Sequence, residues 1–208
     1  MHCICRLDAH LPHPTMIAGA TGSRGTFMRI DAHHHLWQLD RFDLPWISPE
    51  QSTLRRDFLP ADLAETLETC DIDGSILVQT IHNYDESMWF MELQRSTMQI
   101  RGVVGWVDLT MAQPEIDQAV RGLAEAGRLV GIRHVIHDEP SVDWIMQPAV
   151  QQGLAALVKH DISYDLLIRP QHLANSLATV RRLPELRFVI DHIAKPRIKD
   201  RGWSDWAG

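Results

Sequence analysis

The residues whose types and spacing best suit catalysis lie in the stretch Arg29–Trp37, which reads Arg-Ile-Asp-Ala-His-His-His-Leu-Trp. If this stretch ends a β-strand, His33 and His35 leave the same face, because side chains alternate along a strand. Two such imidazoles can share a metal ion, and Asp31 on that face can orient one of them. With 12 histidines among 208 residues, a His-x-His pair is expected about once or less by chance. The pair alone therefore leaves a metal or substrate site and a structural histidine cluster equally open.

The elements around this stretch follow the pattern of repeated βα units. From Met28 onward, short apolar runs alternate with amphipathic stretches at a spacing of roughly thirty residues. Strands are predicted at residues 28–33, 74–79, 100–107, 130–134, 163–168 and 187–190. Helices are predicted at residues 60–70, 86–99, 114–126, 147–160 and 171–183. Strands that alternate with helices imply a parallel sheet.

The sheet is either open and doubly wound or part of a barrel. Neither a Gly-x-Gly-x-x-Gly motif after the first strand nor a Walker phosphate loop occurs in the sequence, which disfavours nucleotide binding. Polar residues end the first, second, fourth and sixth strands, and an α/β barrel builds its site at these strand ends. We therefore predict an α/β fold of the (β/α)8 TIM-barrel type.

The composition is that of a globular protein and limits the classes of partner. Hydrophobic residues make up 45% and charged residues 23% of the chain, with a formal net charge of −7. A net acidic surface does not attract nucleic acid or an anionic membrane, so neither is predicted as a partner. Three cysteines cannot form a disulfide framework for this length, which predicts a cytoplasmic protein.

The first part of the chain differs from the rest. Residues 1–27 contain prolines and glycines without periodicity. We predict an irregular leader that is not part of the fold, and we interpret Met28 as the natural start. Residues 28–208 are predicted to form one partial barrel domain.

Several short motifs occur together in the order found in one enzyme superfamily. They are residues 30–37 (IDAHHHLW), 54–58 (LRRDF), 78–79 (VQ), 105–108 (GWVD), 131–134 (GIRH) and 190–196 (IDHIAKP). Together they resemble the amidohydrolase superfamily, in the branch of lactonases that includes L-fuconolactonase and L-rhamnonolactonase. No single motif is specific, but their combination from about residue 29 onward is.

The resemblance implies a barrel enzyme that hydrolyses a cyclic ester, with a small-molecule sugar lactone as its partner. It implies that His33 and His35 bind a divalent metal, Zn²⁺ foremost, or the substrate carbonyl. His192, after the sixth strand, would be the third imidazole and a catalytic residue. Zinc held by neutral nitrogens polarises a carbonyl or lowers the pKa of bound water to about 7. Members of this branch differ in whether they require metal, so a site without metal stays open.

We predict substrate contacts from Arg133, Gln79 and Lys195. Arg133 matches the family position that contacts polar or anionic substrate groups, and a planar guanidinium suits both. Each residue has a structural alternative: Arg133 can pair with Asp108 or Asp138, Gln79 can satisfy a buried backbone group, and Lys195 can be a solvated loop residue. Because Arg133 is the one well-placed cation, a neutral polyhydroxy lactone is favoured over a dicarboxylate.

Four residues also have interpretations that involve no functional role. His134 and His137 can be surface residues, and Asp191-His192 can be a capped strand end with a satisfied histidine.

The resemblance implies eight βα units, whereas the sequence supplies about six. The aspartate expected at the end of the eighth strand, a metal ligand or general base, would lie beyond Gly208. Ser204-Asp205-Trp206 is not that motif, because no apolar strand precedes it. We predict that the first and sixth strands have open edges, which favour association, and that the site lacks its base. The alternatives to a lactonase are an inactive remnant that binds metal or a partner, and a barrel hydrolase or decarboxylase of aromatic degradation.

Overall fold

The structure is a computed structural model that describes residues 28–207. Six strands form one parallel sheet in chain order. The strands are β1 Ile30–His34, β2 Gly74–Val78, β3 Ile100–Gly105, β4 Leu129–His134, β5 Ser163–Leu166 and β6 Arg187–Ile190. Every predicted strand is confirmed to within two residues at either end. The predicted leader, residues 1–27, lies outside the described residues.

Five helices each connect two successive strands, and a short sixth follows β6. The helices are α1 Pro60–Thr69, α2 Tyr84–Ser96, α3 Gln113–Ala126, α4 Pro148–Leu157, α5 Leu173–Arg182 and α6 Ser204–Ala207. α2 begins two residues before its predicted start, because the Asn83 side chain accepts hydrogen bonds from the backbone N–H groups of Asp85 and Glu86. Shorter 3₁₀ turns lie at residues 136–138, 158–160 and 170–172.

The sheet is curled rather than flat. β1 and β6 lie at opposite ends of the strand order, yet the rings of His33 and His192 at their carboxyl ends are 4.7 Å apart. Five strand spacings of about 4.8 Å would separate these strands by about 24 Å in a flat sheet. The six strands therefore form a curled partial barrel, which confirms the predicted incomplete (β/α)8 architecture.

One main hydrophobic core supports the strand ends. Leu77, Val103, Ile132 and Tyr164, from β2 to β5, are completely buried in it. A second, smaller cluster in the segment between β1 and α1 consists of Trp37, Leu44 and Ile47. Packing of this kind holds the strands rigidly, so that side chains at their carboxyl ends have defined positions.

Within residues 28–207, β1 and β6 each pair with one neighbour only. Val189 and Ile190 of β6 are 46% and 52% exposed. Unpaired edges with exposed apolar residues favour association, and an oligomer stays a prediction, as does the cytoplasmic location. In the same part of the chain, no helix combines the length and the apolar character needed to cross a membrane.

A glycine in α4 allows this helix to approach the loop that follows β3. A Cβ atom at Gly153 would lie 2.3 Å from the backbone oxygen of Leu109, so the backbone would have to move. We expect Gly153→Ala to lower the free energy of unfolding by about 1–3 kcal/mol, as measured by urea denaturation.

The matched control for this substitution is Gly122→Ala in α3. There the added Cβ would meet only the hydroxyl end of Tyr84, at 2.6 Å. This flexible side chain can move, and alanine favours the helix over glycine. Equal losses of stability in the two variants would contradict the backbone clash at Gly153.

Candidate active site

His33 and His35 converge at the carboxyl end of β1, as side-chain alternation predicts. Their Nε2 atoms lie 3.2 Å apart. Nδ1 of His35 lies 2.8 Å from the backbone oxygen of Val78 in β2, and because this oxygen only accepts, Nδ1 carries the proton. Nε2 of His35 therefore directs a lone pair at His33. Oδ1 of Asp31 accepts the backbone N–H of His33 at 3.2 Å, and among residues 28–207 its carboxylate has no recorded contact with an imidazole.

Arg133, at the end of β4, reaches the same point and is 3% exposed. Its Nη1 donates to Oδ2 of Asp191 at 2.9 Å and to Nε2 of His33 at 3.2 Å. Its Nη2 donates to the backbone oxygen of Gln79. Asp191 is thus its ion-pair partner, and not Asp108 or Asp138. Because a guanidinium has only donors, Nε2 of His33 is an acceptor and also carries a lone pair.

Two unprotonated nitrogens therefore face each other, an arrangement that a cation stabilises. Because Nε2 of His33 has one lone pair, a metal ion bound there would replace the hydrogen bond from Nη1 of Arg133. In a tetrahedral zinc site with Zn–N bonds of 2.0–2.1 Å, ligand nitrogens lie about 3.3 Å apart. Burial, followed by the charge of Arg133, lowers the pKa of His33 to about 4. Burial is also the main reason that the pKa of His35 is well below its usual value. Both imidazoles are thus neutral at pH 7, which is the form that binds metal.

Asp191 and His192 approach His33 from the other edge of the sheet. One ligand atom from each of these three residues lies within 4.8 Å of the others. His35 is not in this group, so the candidate ligands form two overlapping sets that share His33. Asp191 is not among the ligands predicted from the sequence, although its place directly before His192 was an available signal.

The turn that carries His192 has an uncommon backbone. His192 has φ 51° and ψ 35°, and φ is positive at all four residues 192–195. This left-handed conformation costs non-glycine residues roughly 1–2 kcal/mol each. It turns the His192 ring toward the ring of His33, and strain of this kind is found where a side chain is held for function.

A family model described as amidohydrolase matches residues 30–208. The chain belongs to the amidohydrolase family. This finding confirms the resemblance carried by the sequence motifs.

Two curated relatives of this amidohydrolase are L-fucono-1,5-lactonases. The protein from Burkholderia ambifaria is 35% identical over 178 residues, which are 86% of this chain and 61% of the relative. The protein from Burkholderia multivorans is 33% identical, and the match covers 86% of this chain and 60% of the relative. This chain therefore spans about 60% of the length of these two relatives.

Solved structures confirm the fold of this amidohydrolase. An amidohydrolase from Burkholderia multivorans with bound zinc has a TM-score of 0.78 at 31% identity, over 86% of this chain and 63% of that one. A structure of an amidohydrolase from the same species with bound HEPES has a TM-score of 0.79 at 30% identity, over 86% and 64%. Both are close enough in sequence to support the family as well as the fold.

The remaining predicted substrate residues, Gln79 and Lys195, lie at different depths in the amidohydrolase. Gln79 is completely buried, and its Nε2 donates to the backbone oxygen of Arg133 at 3.2 Å, as its structural alternative predicts. Its Oε1 is buried with no hydrogen-bond partner among residues 28–207. Lys195 is exposed, and its Nζ donates to Nε2 of His137 at 2.7 Å.

Glu86 shapes the loop between β2 and α2 and was not singled out in the sequence. It is 1% exposed. Its carboxylate accepts the backbone N–H of Thr80 at 2.9 Å and the Thr80 hydroxyl. Burial opposes these hydrogen bonds and raises the pKa of Glu86 from 4.5 to about 7. Glu86 therefore fixes the position of the segment that follows Gln79, although burial destabilises the charge of its carboxylate.

This pKa shift predicts how the stability of the amidohydrolase depends on pH. Between the unfolded value of 4.5 and the folded value of about 7, the folded chain binds the proton more tightly than the unfolded chain. The contribution of Glu86 to stability therefore falls as the pH rises through this window, by up to about 3 kcal/mol. Burial raises the pKa of Asp165 to about 7 and so acts in the same direction, whereas burial lowers the pKa of His33, His82 and His134 to about 4 and acts in the opposite direction. We therefore expect the difference in stability between the unmodified chain and Glu86→Gln to decrease from pH 5 to pH 7 in urea denaturation series.

The control for this series is Glu68→Gln, at an exposed position of α1. We expect this variant to retain the pH dependence of the unmodified chain. Parallel curves of stability against pH for Glu86→Gln and the unmodified chain would contradict the assignment of this pH-dependent contribution to Glu86.

A second polar cluster contains His82, His134 and Glu139, whose ligand atoms also lie within 4.8 Å of one another. His134 is buried rather than on the surface, so its surface interpretation is wrong. Its Nδ1 accepts the indole N–H of Trp106 at 3.1 Å, and its Nε2 is 2.6 Å from Glu139. Its ring is stacked between those of His82 and Trp144, at 3.7 and 3.9 Å. The in-plane lone pairs of stacked rings point in parallel directions and do not converge on one ion. We therefore interpret this cluster as structural support for the loops after β2, β3 and β4.

Proposed function

We propose that this chain forms the metal- and carbonyl-binding part of an enzyme that hydrolyses a sugar lactone. The observation that carries the proposal is the pair of facing Nε2 atoms in His33 and His35, 3.2 Å apart at the carboxyl end of β1. Asp191 and His192 complete the surroundings of His33. The names of the two curated relatives and the zinc bound to a solved relative support the same function.

In this proposal, His33, His35 and His192 bind a divalent metal, with zinc as the candidate, or the substrate carbonyl. Bound zinc would supply positive charge at the carbonyl oxygen and lower the pKa of water. Arg133 is also proposed to contact a polar group of the substrate. Three of its five N–H donors bind Asp191, His33 and the backbone oxygen of Gln79, and its Nε has no hydrogen-bond partner among residues 28–207. Asp191 balances the charge of this guanidinium.

The reaction joins water to the carbonyl carbon and breaks the C–O bond of the ring. The products are a carboxylate and a hydroxyl group that has taken up a proton. Oε1 of Gln79 and Nζ of Lys195 are the groups proposed to bind substrate hydroxyls. The eighth-strand aspartate that the resemblance implies as base is not among residues 28–207, which contain six strands.

The test is acid release from L-fucono-1,5-lactone by the chain with added zinc, after subtraction of spontaneous hydrolysis. We expect turnover above the background but about 10²–10⁴-fold below that of an enzyme with its general base, because the eighth-strand aspartate is not among residues 28–207, and we expect His33→Asn to abolish it. Turnover that is equal in the unmodified chain and in His33→Asn would overturn the proposal.

The proposed alternative is a chain that binds metal without catalysis, and the single-sided pairing of β1 and β6 favours it. Because zinc affinity and turnover are separate measurements, one experiment distinguishes the two. Tight zinc binding that depends on His33, together with no lactone turnover, would support this alternative over the lactonase.

A further inference from the structure

The guanidinium of Arg133 lies at the point where the candidate metal ligands converge. Its Nη1 is 3.2 Å from Nε2 of His33 and 2.9 Å from Oδ2 of Asp191. The same Nε2 of His33 is 3.2 Å from Nε2 of His35. Oδ1 of Asp191 is 3.7 Å from Nδ1 of His33. A positive group of the chain itself therefore contacts two of the residues that are candidate ligands.

The hydrogen bond from Arg133 to His33 and a metal bond at the same nitrogen exclude each other. An N–H bond is about 1.0 Å long, so in a straight hydrogen bond the hydrogen on Nη1 lies about 2.2 Å from Nε2 of His33. A zinc ion on that lone pair would lie about 2.0–2.1 Å from Nε2, at almost the same point. Nη1 must therefore leave Nε2 of His33 before a metal ion can bind there.

The rest of the guanidinium is held independently of His33. Nη2 of Arg133 donates to the backbone oxygen of Gln79, and Nε2 of Gln79 donates to the backbone oxygen of Arg133 at 3.2 Å. The Arg133 side chain is also buried. Its positive charge therefore stays near the site when Nη1 moves, and burial reduces the screening of this charge. Arg133 thus opposes a metal ion by charge as well as by position.

Asp191 can pair with either cation. Its carboxylate is buried, and a buried carboxylate needs a positive partner. Nη1 of Arg133 is that partner in the structure. A carboxylate oxygen of Asp191 also belongs to the group of potential ligand atoms with His33 and His192. A metal ion held by this group would therefore replace the guanidinium as the partner of Asp191.

We propose that Arg133 is an internal cation that competes with a divalent metal ion for His33 and Asp191 and so sets the metal affinity of the site. This competition rests on the metal site of the proposed function. It is distinct from the proposed substrate contact of Arg133, because it acts on metal affinity when no substrate is present.

The test is the zinc affinity of the unmodified chain and of Arg133→Met, measured without substrate by competition with a chromophoric chelator at pH 7. We expect Arg133→Met to bind zinc about tenfold or more tightly, because the variant loses both a charged hydrogen bond to a ligand and the repulsion between two cations. Arg133→Lys keeps the charge without the guanidinium fork, so its affinity should lie between the two. Arg128→Met removes an exposed arginine and should bind zinc as the unmodified chain does.

Zinc is also expected to restore stability to Arg133→Met, because it supplies the positive partner that Asp191 loses. A ligand stabilises the folded state more when it binds more tightly. Saturating zinc should therefore raise the urea midpoint of Arg133→Met more than that of the unmodified chain. Adding Asp191→Asn to Arg133→Met should remove most of this excess.

A further measurement uses the unmodified chain, since Arg133→Met is expected to be less stable. In protein that contains ¹⁵N-labelled arginine, the guanidinium signals of Arg133 are identified by their loss in Arg133→Lys. We expect saturating zinc to speed the exchange of the Nη1 protons with water, because both of their acceptors then bind the metal. The signals of the exposed Arg128 serve as the internal control and should not change.

Equal or weaker zinc binding by Arg133→Met, or unchanged Arg133 signals in the unmodified chain at saturating zinc, would overturn this competition. None of these measurements involves turnover. Tighter zinc binding by Arg133→Met, together with no lactone turnover by the unmodified chain, would contradict the lactonase function alone. Lactone turnover that is lost in His33→Asn, together with equal zinc affinities of Arg133→Met and the unmodified chain, would contradict this inference alone.

Discussion

Substitution of Arg133 by methionine is expected to lower the free energy of unfolding by about 3–5 kcal/mol. The Asp191 carboxylate, which is 4% exposed, would lose its ion-pair partner and stay buried as a charge. The backbone oxygen of Gln79 and Nε2 of His33 would lose a donor as well. The measurement is urea denaturation followed by circular dichroism.

Two comparisons separate this effect from a general loss of charge. Arg128→Met, at the exposed residue before β4, removes the same side chain and should change the stability by less than about 0.5 kcal/mol. Adding Asp191→Asn to Arg133→Met should recover part of the loss, because the unpaired charge is then absent. Equal stabilities of Arg133→Met and Arg128→Met would show that the Arg133–Asp191 pair does not hold the site together.

The second large effect is expected for zinc affinity. His33 belongs to both sets of candidate ligands, since its Nε2 faces that of His35 and its ring lies beside Asp191 and His192. We expect His33→Asn to weaken zinc binding by at least about 100-fold, because even the residues that only support metal ligands contribute 10–100-fold. The measurement is competition with a chromophoric chelator at pH 7.

A histidine away from the site controls for nonspecific zinc binding. His160 contacts Asp117 between α3 and the turn after α4, and His160→Asn should leave the tight zinc site unchanged. If both substitutions weaken zinc binding equally, or neither does, His33 is not a ligand. Loss of affinity in His33→Asn alone would support the metal site independently of any turnover.

The sequence by itself determined the elements and much of the family assignment. Strand and helix patterns are local, because apolar periodicity of 2 or 3.6 residues depends only on neighbours in the chain. The predicted strands therefore match β1 to β6. The same local rule predicted the convergence of His33 and His35, which are two residues apart.

Only the tertiary structure decided which distant side chains meet. Arg133 and Asp191 are 58 residues apart, and the sequence offered Asp108 and Asp138 as equally reasonable partners. The partner of Arg133 depends on the curl of the sheet, because the curl decides which strand ends lie next to each other. The periodicity of the sequence contains no information about this curvature.

The left-handed turn at residues 192–195 was equally inaccessible to local reasoning. No glycine marks it, and positive φ is disfavoured for each of its residues alone. Packing at the end of β6 must compensate this cost, and it thereby places His192 beside His33 and Lys195 beside His137. Residue types and their order thus identified most of the candidate groups, whereas the curl of the sheet and this turn decided which of them share a site, because both depend on contacts between residues far apart in the chain.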